Sequence, residues 1–178
     1  MDKRSLRERM RSANRALGAE QRAAASAALF ARVEAHEAFR SARVVAAYCA
    51  LADEPDTAGV LERWVASGHR VVVPRVEGEE MQFYDFYPSS MVRGSFGIAE
   101  PTDDTTLCAP HEIDLMIVPG VAFTALGARL GRGKGYYDRY LAQHDFRAYT
   151  IGVGYAHQLT ENLPTESHDR LLDEVICR

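Results

Sequence analysis

Residues 115–141 read LMIVPGVAFTALGARLGRGKGYYDRYL, and the rest of the chain is arranged around them. Leu115, Met116, Ile117 and Val118 form a short apolar run closed by Pro119 and Gly120, the pattern of a buried strand. Further on, Gly131, Gly133 and Gly135 alternate with Arg132 and Lys134, and Tyr136, Tyr137 and Asp138 follow. Glycine lets the backbone approach a ligand and adopt positive φ, so that successive amide N–H groups converge on one anion. The interleaved cations supply charge that suits phosphate. Residues 136–143 then have helical spacing, with Tyr137, Tyr140 and Leu141 on one side, so the loop should deliver its anion to a helix N-terminus. Strand, basic glycine loop and helix read together as a phosphate cradle. The common versions are excluded. Ala128 stands where a Walker A loop needs its first glycine, and Gly135 replaces the hydroxyl residue. Tyr136 occupies the third glycine position of a dinucleotide fingerprint.

Outward from this stretch, strands alternate with helices. Upstream, residues 44–48 (VVAAY) read as a buried strand, a loop LADEPD follows at 51–56, and Asp56 or Thr57 can cap a helix that Gly68 closes. Residues 70–74 (RVVVP) make the next strand, so a β-α-β crossover and a parallel pair are expected. Residues 81–87 alternate with Phe83 and Tyr87 on one face and Tyr84 and Phe86 on the other, as in a packed hairpin strand. Residues 94–109 read as one long loop. Downstream, strands are expected at 149–153 and 175–177, with a short helix or turn at 159–164. At the start lies a helical pair, the first helix ending at Gly18 and the second spanning about 20–39. The expected architecture is an α/β single domain, 1–178, of three layers with a mostly parallel sheet.

Length and composition agree. The chain has 178 residues, 47% of them hydrophobic and 26% charged, enough for one full core and too apolar for disorder. A net charge of −4 gives no global reason to expect nucleic acid. Cys49, Cys108 and Cys177 are scattered without a CxxC pair, which fits reduced thiols in a cytoplasmic protein rather than a zinc site. No apolar run approaches a membrane span of roughly 20 residues, and no signal-peptide core opens the chain. The histidines have no metal-ligand spacing, His111-Glu112 reads as a surface pair, and no GxSxG elbow is present.

The first helix is the one strongly basic piece. Leu6, Met10, Ala13 and Leu17 form its apolar stripe, while Lys3, Arg7, Arg11 and Arg15 step by four along a ridge. Three readings stand: a solvated face, a nucleic-acid contact without interleaved aromatics, or Lys3 and Arg7 reaching phosphates held by the glycine loop.

At these residues the chain resembles the 5-formyltetrahydrofolate cyclo-ligase (5,10-methenyltetrahydrofolate synthetase) family, over essentially its whole length. The resemblance rests most on RLGRGKGYYD at 129–138 preceded by IVPGVAF at 117–123. It extends to Lys3 and Arg7, Asp53-Glu54, GIAEP at 97–101 and Asp173-Glu174-Val175. It implies ATP contacts from Lys3, Arg7, Arg129, Leu130, Gly131, Arg132, Gly133, Lys134, Gly135, Tyr136 and Tyr137. Lys134 and Arg132 are implied as the catalytic cations, Glu54, Cys49 and Tyr136 as folate contacts, and Asp138 and Asp173 as Mg²⁺ ligands. The implied reaction is ATP-dependent cyclisation of 5-formyltetrahydrofolate through a phosphorylated formyl group, releasing ADP and phosphate. The expected partner is a small molecule, with neither nucleic acid nor membrane. Two rivals from the residues alone are a phosphosugar-binding enzyme or sensor without ATP chemistry, and a nucleic-acid-binding protein using the basic first helix.

Overall fold

The computed structural model describes residues 1–94 and 97–178. It opens with α1 (Lys3–Ala16), which Asp2 caps by accepting from the Ser5 N–H at 2.8 Å, and α2 (Ala19–Ala35). The second expected helix is broken at His36, whose imidazole accepts from Ala38 N–H and starts a separate α3 (Glu37–Ser41). Then come β1 (Val44–Ala46), α4 (Ala58–Ala66), β2 (Arg70–Glu77) and β3 (Glu80–Asp85). β4 (Met91–Arg93) follows, and the stretch 94–109 expected as a loop holds β5 (Ala99–Pro101), paired with β4, and β6 (Leu107–Cys108), residues 95 and 96 lying outside the described part. The central stretch gives β7 (Leu115–Pro119), β8 (Ala122–Phe123), β9 (Arg129–Leu130) and α5 (Tyr136–Leu141), and β10 (Tyr149–Gly154) and β11 (Glu174–Cys177) complete the chain. No helix forms at 159–164; a 3-10 turn at Ala156–Gln158 precedes it, and Leu159 bridges to Phe123.

The main sheet runs β11-β10-β7-β1-β2-β3-β6, parallel from β11 through β2 and antiparallel at β3 and β6. Both faces are covered, as a parallel sheet requires. Alternate residues of each strand take opposite sides. Val45, Val71, Val73, Leu115, Ile117, Ile151 and Val153 pack with Phe30 and Val33 of α2, Phe39 of α3 and Trp64 of α4. Ala46, Val72, Met116 and Val118 pack on the other side with Phe83, Phe123, Tyr140 and Leu141. Pro74 sits inside β2 because the β1 pairing ends at Val72, so its missing N–H leaves no ladder bond unmade. Of the aromatic strand, Phe83, Tyr84 and Phe86 are buried, whereas Tyr87 falls beyond β3 and is exposed.

β8 and β9 form a hairpin just past the end of β7, and α1 lies on it, with Leu6 and Met10 buried against Val121, Ala122 and Leu130. Gly152 on β10 permits the hairpin's approach, since a Cβ there would lie 2.7 Å from Phe123.

Candidate active site

In a parallel sheet the carboxyl ends of the strands converge on the ligand side. Here a cavity of about 660 Å³ opens at that end, lined by Tyr48 and Cys49 after β1, Pro74 and Val76 of β2, and Pro119 and Gly120 at the end of β7. Its cations come from α1 and the glycine loop: Lys3, Arg7, Arg11, Arg129, Arg132 and Lys134. Its carboxylates are Glu54, Glu100, Asp138, Glu166 and Asp169, and Met81 and Ile98 add apolar surface.

The packing of α1 on the hairpin brings two members of its basic ridge to the loop. Arg7 Nε donates to Gly131 O at 2.7 Å, and its guanidinium lies beside Gly133. Lys3 Nζ donates to Glu166 Oε1 at 2.7 Å and is 3.9 Å from Asp169. Arg11 stands 3.7 Å from Asp53, whereas Arg15 is exposed and does not line the cavity, so the ridge is divided between the cleft and water. Gly133 and Gly135 have φ of 105° and 74°, the left-handed region that other residues enter at a cost. Such turns are the ones an anion-binding nest of amides needs. With only six residues in α5, the loop and its cations carry most of the attraction for an anion.

Arg129 is the most enclosed cation. Its side chain is 8% exposed, Nε donates to Pro119 O at 2.8 Å, Nη1 is 3.5 Å from Asp138 Oδ1, and the Tyr137 ring lies 5.1 Å away. Burial pulls its pKa down, and the Asp138 carboxylate opposes that pull. Arg132 joins the loop to the chain after β1. Its Nη2 donates to Asp53 Oδ1 at 2.7 Å and its Nε to Glu54 Oε1 at 3.1 Å. Burial would lower the Arg132 pKa, but these two carboxylates outweigh it and raise it. Burial raises the Glu54 pKa, against the Arg132 charge and the hydrogen bond that Glu54 Oε2 accepts from Leu51 N–H at 2.9 Å.

Lys134 is exposed at the cleft, and Tyr136 and Tyr137 are half-buried in its wall. Cys49 is half-buried there too, its thiol pushed up to about 12 by burial and then by Glu100. Two residues of the expected set face elsewhere. The Leu130 side chain is buried under α1 and contributes only backbone to the loop, its carbonyl accepting from Val121 N–H at 2.7 Å. Asp173 is not brought to the cleft. Its Oδ2 accepts from Thr150 N–H at 2.8 Å and from Thr150 Oγ1 at 2.9 Å. Thr150 pairs with Met116 near the amino ends of β10 and β7, the end of the sheet away from the glycine loop. Asp173 therefore pins the start of β10.

A Mg²⁺ ion carried on nucleotide phosphates takes one or two protein carboxylates and keeps its waters. Asp138, about one-third exposed and lining the cavity, fits that need, and Asp169 faces the same space. Among the described residues no three potential ligands cluster. The segment holding Glu166, His168 and Asp169 was not singled out from sequence, because it has no periodicity and its residues meet Lys3 only through the fold.

The model of the 5-formyltetrahydrofolate cyclo-ligase family matches residues 1–178. A 5-formyltetrahydrofolate cyclo-ligase of Escherichia coli strain K12 is 34% identical over 175 residues, covering 94% of this chain and 95% of the relative. The solution structure of 5,10-methenyltetrahydrofolate synthetase from Aquifex aeolicus superposes with a TM-score of 0.89 at 32% identity, covering 99% of this chain and 90% of that one. A 5,10-methenyltetrahydrofolate synthetase from Mycoplasma pneumoniae gives 0.80 at 27% identity, with 99% and 98% covered.

Proposed function

This chain belongs to the 5-formyltetrahydrofolate cyclo-ligase family, and we propose that its cleft closes 5-formyltetrahydrofolate to 5,10-methenyltetrahydrofolate as follows. The formyl oxygen attacks the γ-phosphorus of ATP and ADP departs. N10 then attacks the activated formyl carbon, phosphate leaves with its oxygen, and N10 gives up its proton. Such a reaction asks mainly for positioning and for neutralisation of charge on the moving phosphoryl group.

The observation that carries this reading is the direct contact between Arg132 of the phosphate loop and Glu54 of the chain after β1. It sets the phosphate-handling cations against a carboxylate suited to the N–H groups of a pterin, where phosphoryl transfer onto folate has to occur. Two N–H bonds of Arg132 are committed to Asp53 and Glu54, which leaves the remaining guanidinium donors for phosphate oxygens. Lys134 meets charge that grows during transfer, the amides of Gly133 and Gly135 share it, and Lys3, Arg7 and Arg129 hold the rest of the nucleotide's phosphates. Cys49 and Tyr136 line the folate side with Glu54. Asp138 would hold Mg²⁺, which when bound neutralises charge on the β- and γ-phosphates. The protein acts in the cytoplasm in this reading.

The test is to supply purified protein with 5-formyltetrahydrofolate and MgATP and to follow methenyl absorbance together with ADP. Equal formation of both supports the proposal. ADP without cyclisation, or neither product, removes it.

A further inference from the structure

A loop is usually the least restrained part of a site, yet in the one carrying Glu54 each carbonyl from Leu51 to Pro55 has a donor. Leu51 O accepts from Glu54 N–H at 3.0 Å. Ala52 O accepts from Arg22 at 3.2 Å, Asp53 O from Asn14 Nδ2 at 2.9 Å, Glu54 O from the Tyr155 hydroxyl at 3.0 Å and Pro55 O from the Tyr48 hydroxyl at 2.8 Å. Four of the five donors are side chains reaching in from elsewhere in the fold.

Asn14 is the one that ties the loop to the phosphate side. It is 3% exposed on α1, the helix that also delivers Lys3 and Arg7. Both ends of its amide are used, because Oδ1 accepts from His157 Nε2 at 2.5 Å while Nδ2 donates to Asp53 O. Buried, an amide with both partners satisfied holds one orientation, and removing a donor strands the acceptor left behind. His157 in turn stacks on Tyr155, whose hydroxyl holds the Glu54 carbonyl.

We propose that Asn14 and Tyr155 are positioning residues for the folate-side carboxylate: they fix the 53–54 backbone so that Glu54 and Arg132 meet folate in one geometry. This rests on the reading of Glu54 as a folate contact. An isosteric Asn14→Asp keeps an acceptor for His157 but cannot donate to Asp53 O. Tyr155→Phe removes the donor to Glu54 O, together with the hydroxyl's contact with Ser26, and keeps the ring. Each should raise KM for 5-formyltetrahydrofolate roughly tenfold, equivalent to about 1.4 kcal/mol, with Kd for MgATP in the absence of folate changed by less than about twofold.

A merely structural role predicts otherwise: a lower melting temperature, with both constants unmoved in the folded fraction. Glu54→Gln run in parallel separates the two levels. If Glu54→Gln raises folate KM while Asn14→Asp and Tyr155→Phe leave it unchanged, or move nucleotide Kd as much, the positioning role is wrong. If Glu54→Gln itself is silent, the reading of Glu54 falls and this inference with it. Should Asn14→Asp fail to fold, Tyr155→Phe alone decides.

Discussion

Arg132→Met should damage this protein in two separable ways, one in stability and one in turnover. In the wild type the guanidinium lies 2.7 Å from Asp53 and 3.1 Å from Glu54, and both carboxylate side chains are only 10% exposed. Leaving a buried charge without its partner costs about 3–5 kcal/mol. Two features of the site reduce that figure. The Arg132 side chain is itself 30% exposed, and Arg11 stays 3.7 Å from Asp53. About 1–2 kcal/mol is then left, or a fall of roughly 2–8 °C in melting temperature for a chain of this size. Glu54→Gln in the same background should recover part of the loss, because the carboxylate stranded by Arg132→Met is then neutral. The coupling in the double-mutant cycle should be about 1 kcal/mol. Turnover should fall separately, by on the order of a hundredfold, the effect of losing one preorganised electrostatic donor worth about 3 kcal/mol. Thermal unfolding and steady-state kinetics of the four proteins measure both. Additive stabilities with wild-type turnover in Arg132→Met would refute the claim that this arginine joins the two halves of the site.

Lys134→Ala should keep the fold and lower kcat by roughly a hundredfold, more than it weakens ATP binding, since the ammonium answers charge that develops in transfer; equal kcat would return the loop to an ordinary surface. Asp138→Asn should raise the Mg²⁺ concentration needed for half-maximal rate and, because it removes the carboxylate that faces the buried Arg129, lower stability by about 1 kcal/mol. Asp173→Asn should leave that Mg²⁺ requirement alone, and an altered requirement would reinstate Asp173 as a ligand. Burial pushes the thiols of Cys49 up to about 12 and of Cys108 and Cys177 up to about 11, so all three stay protonated at pH 8. Iodoacetamide at that pH should label none of them in the native protein and all three in urea, and rapid native labelling of Cys49 would contradict the stated burial.

The fold was legible where the sequence imposes its own period. β7 and β2 hold apolar runs (Leu115–Val118 and Val71–Val73) closed by proline, β10 carries the β-branched Thr150, Ile151 and Val153, and the glycine–cation alternation of 131–135 has few structural uses other than holding an anion. The stretch 94–109 was not legible because β5 and β6, like β4 just before it, are two or three residues long, too short to show alternation. On α1 the apolar stripe predicted Ala13 and Leu17 at the buried face. The structure buries Asn14 instead, because two turns along the helix meets the polar 53–54 backbone rather than more core. The candidate site divided in the same way. Residues 129–138 are contiguous and could be read directly. Glu166 and Asp169 reach the cleft only by folding, and Asp173 was placed there by resemblance while the topology puts it at the opposite end of β10.

In the proposed reaction the formyl oxygen is the atom that receives the phosphoryl group between the Arg132 and Lys134 cations. A heavy-oxygen label placed in the formyl group of the substrate follows that atom directly. Mass analysis of the inorganic phosphate released in a single turnover with MgATP should find one labelled oxygen per phosphate, alongside an equal amount of methenyl product. Unlabelled phosphate, with the heavy oxygen recovered in water or formate, would contradict it.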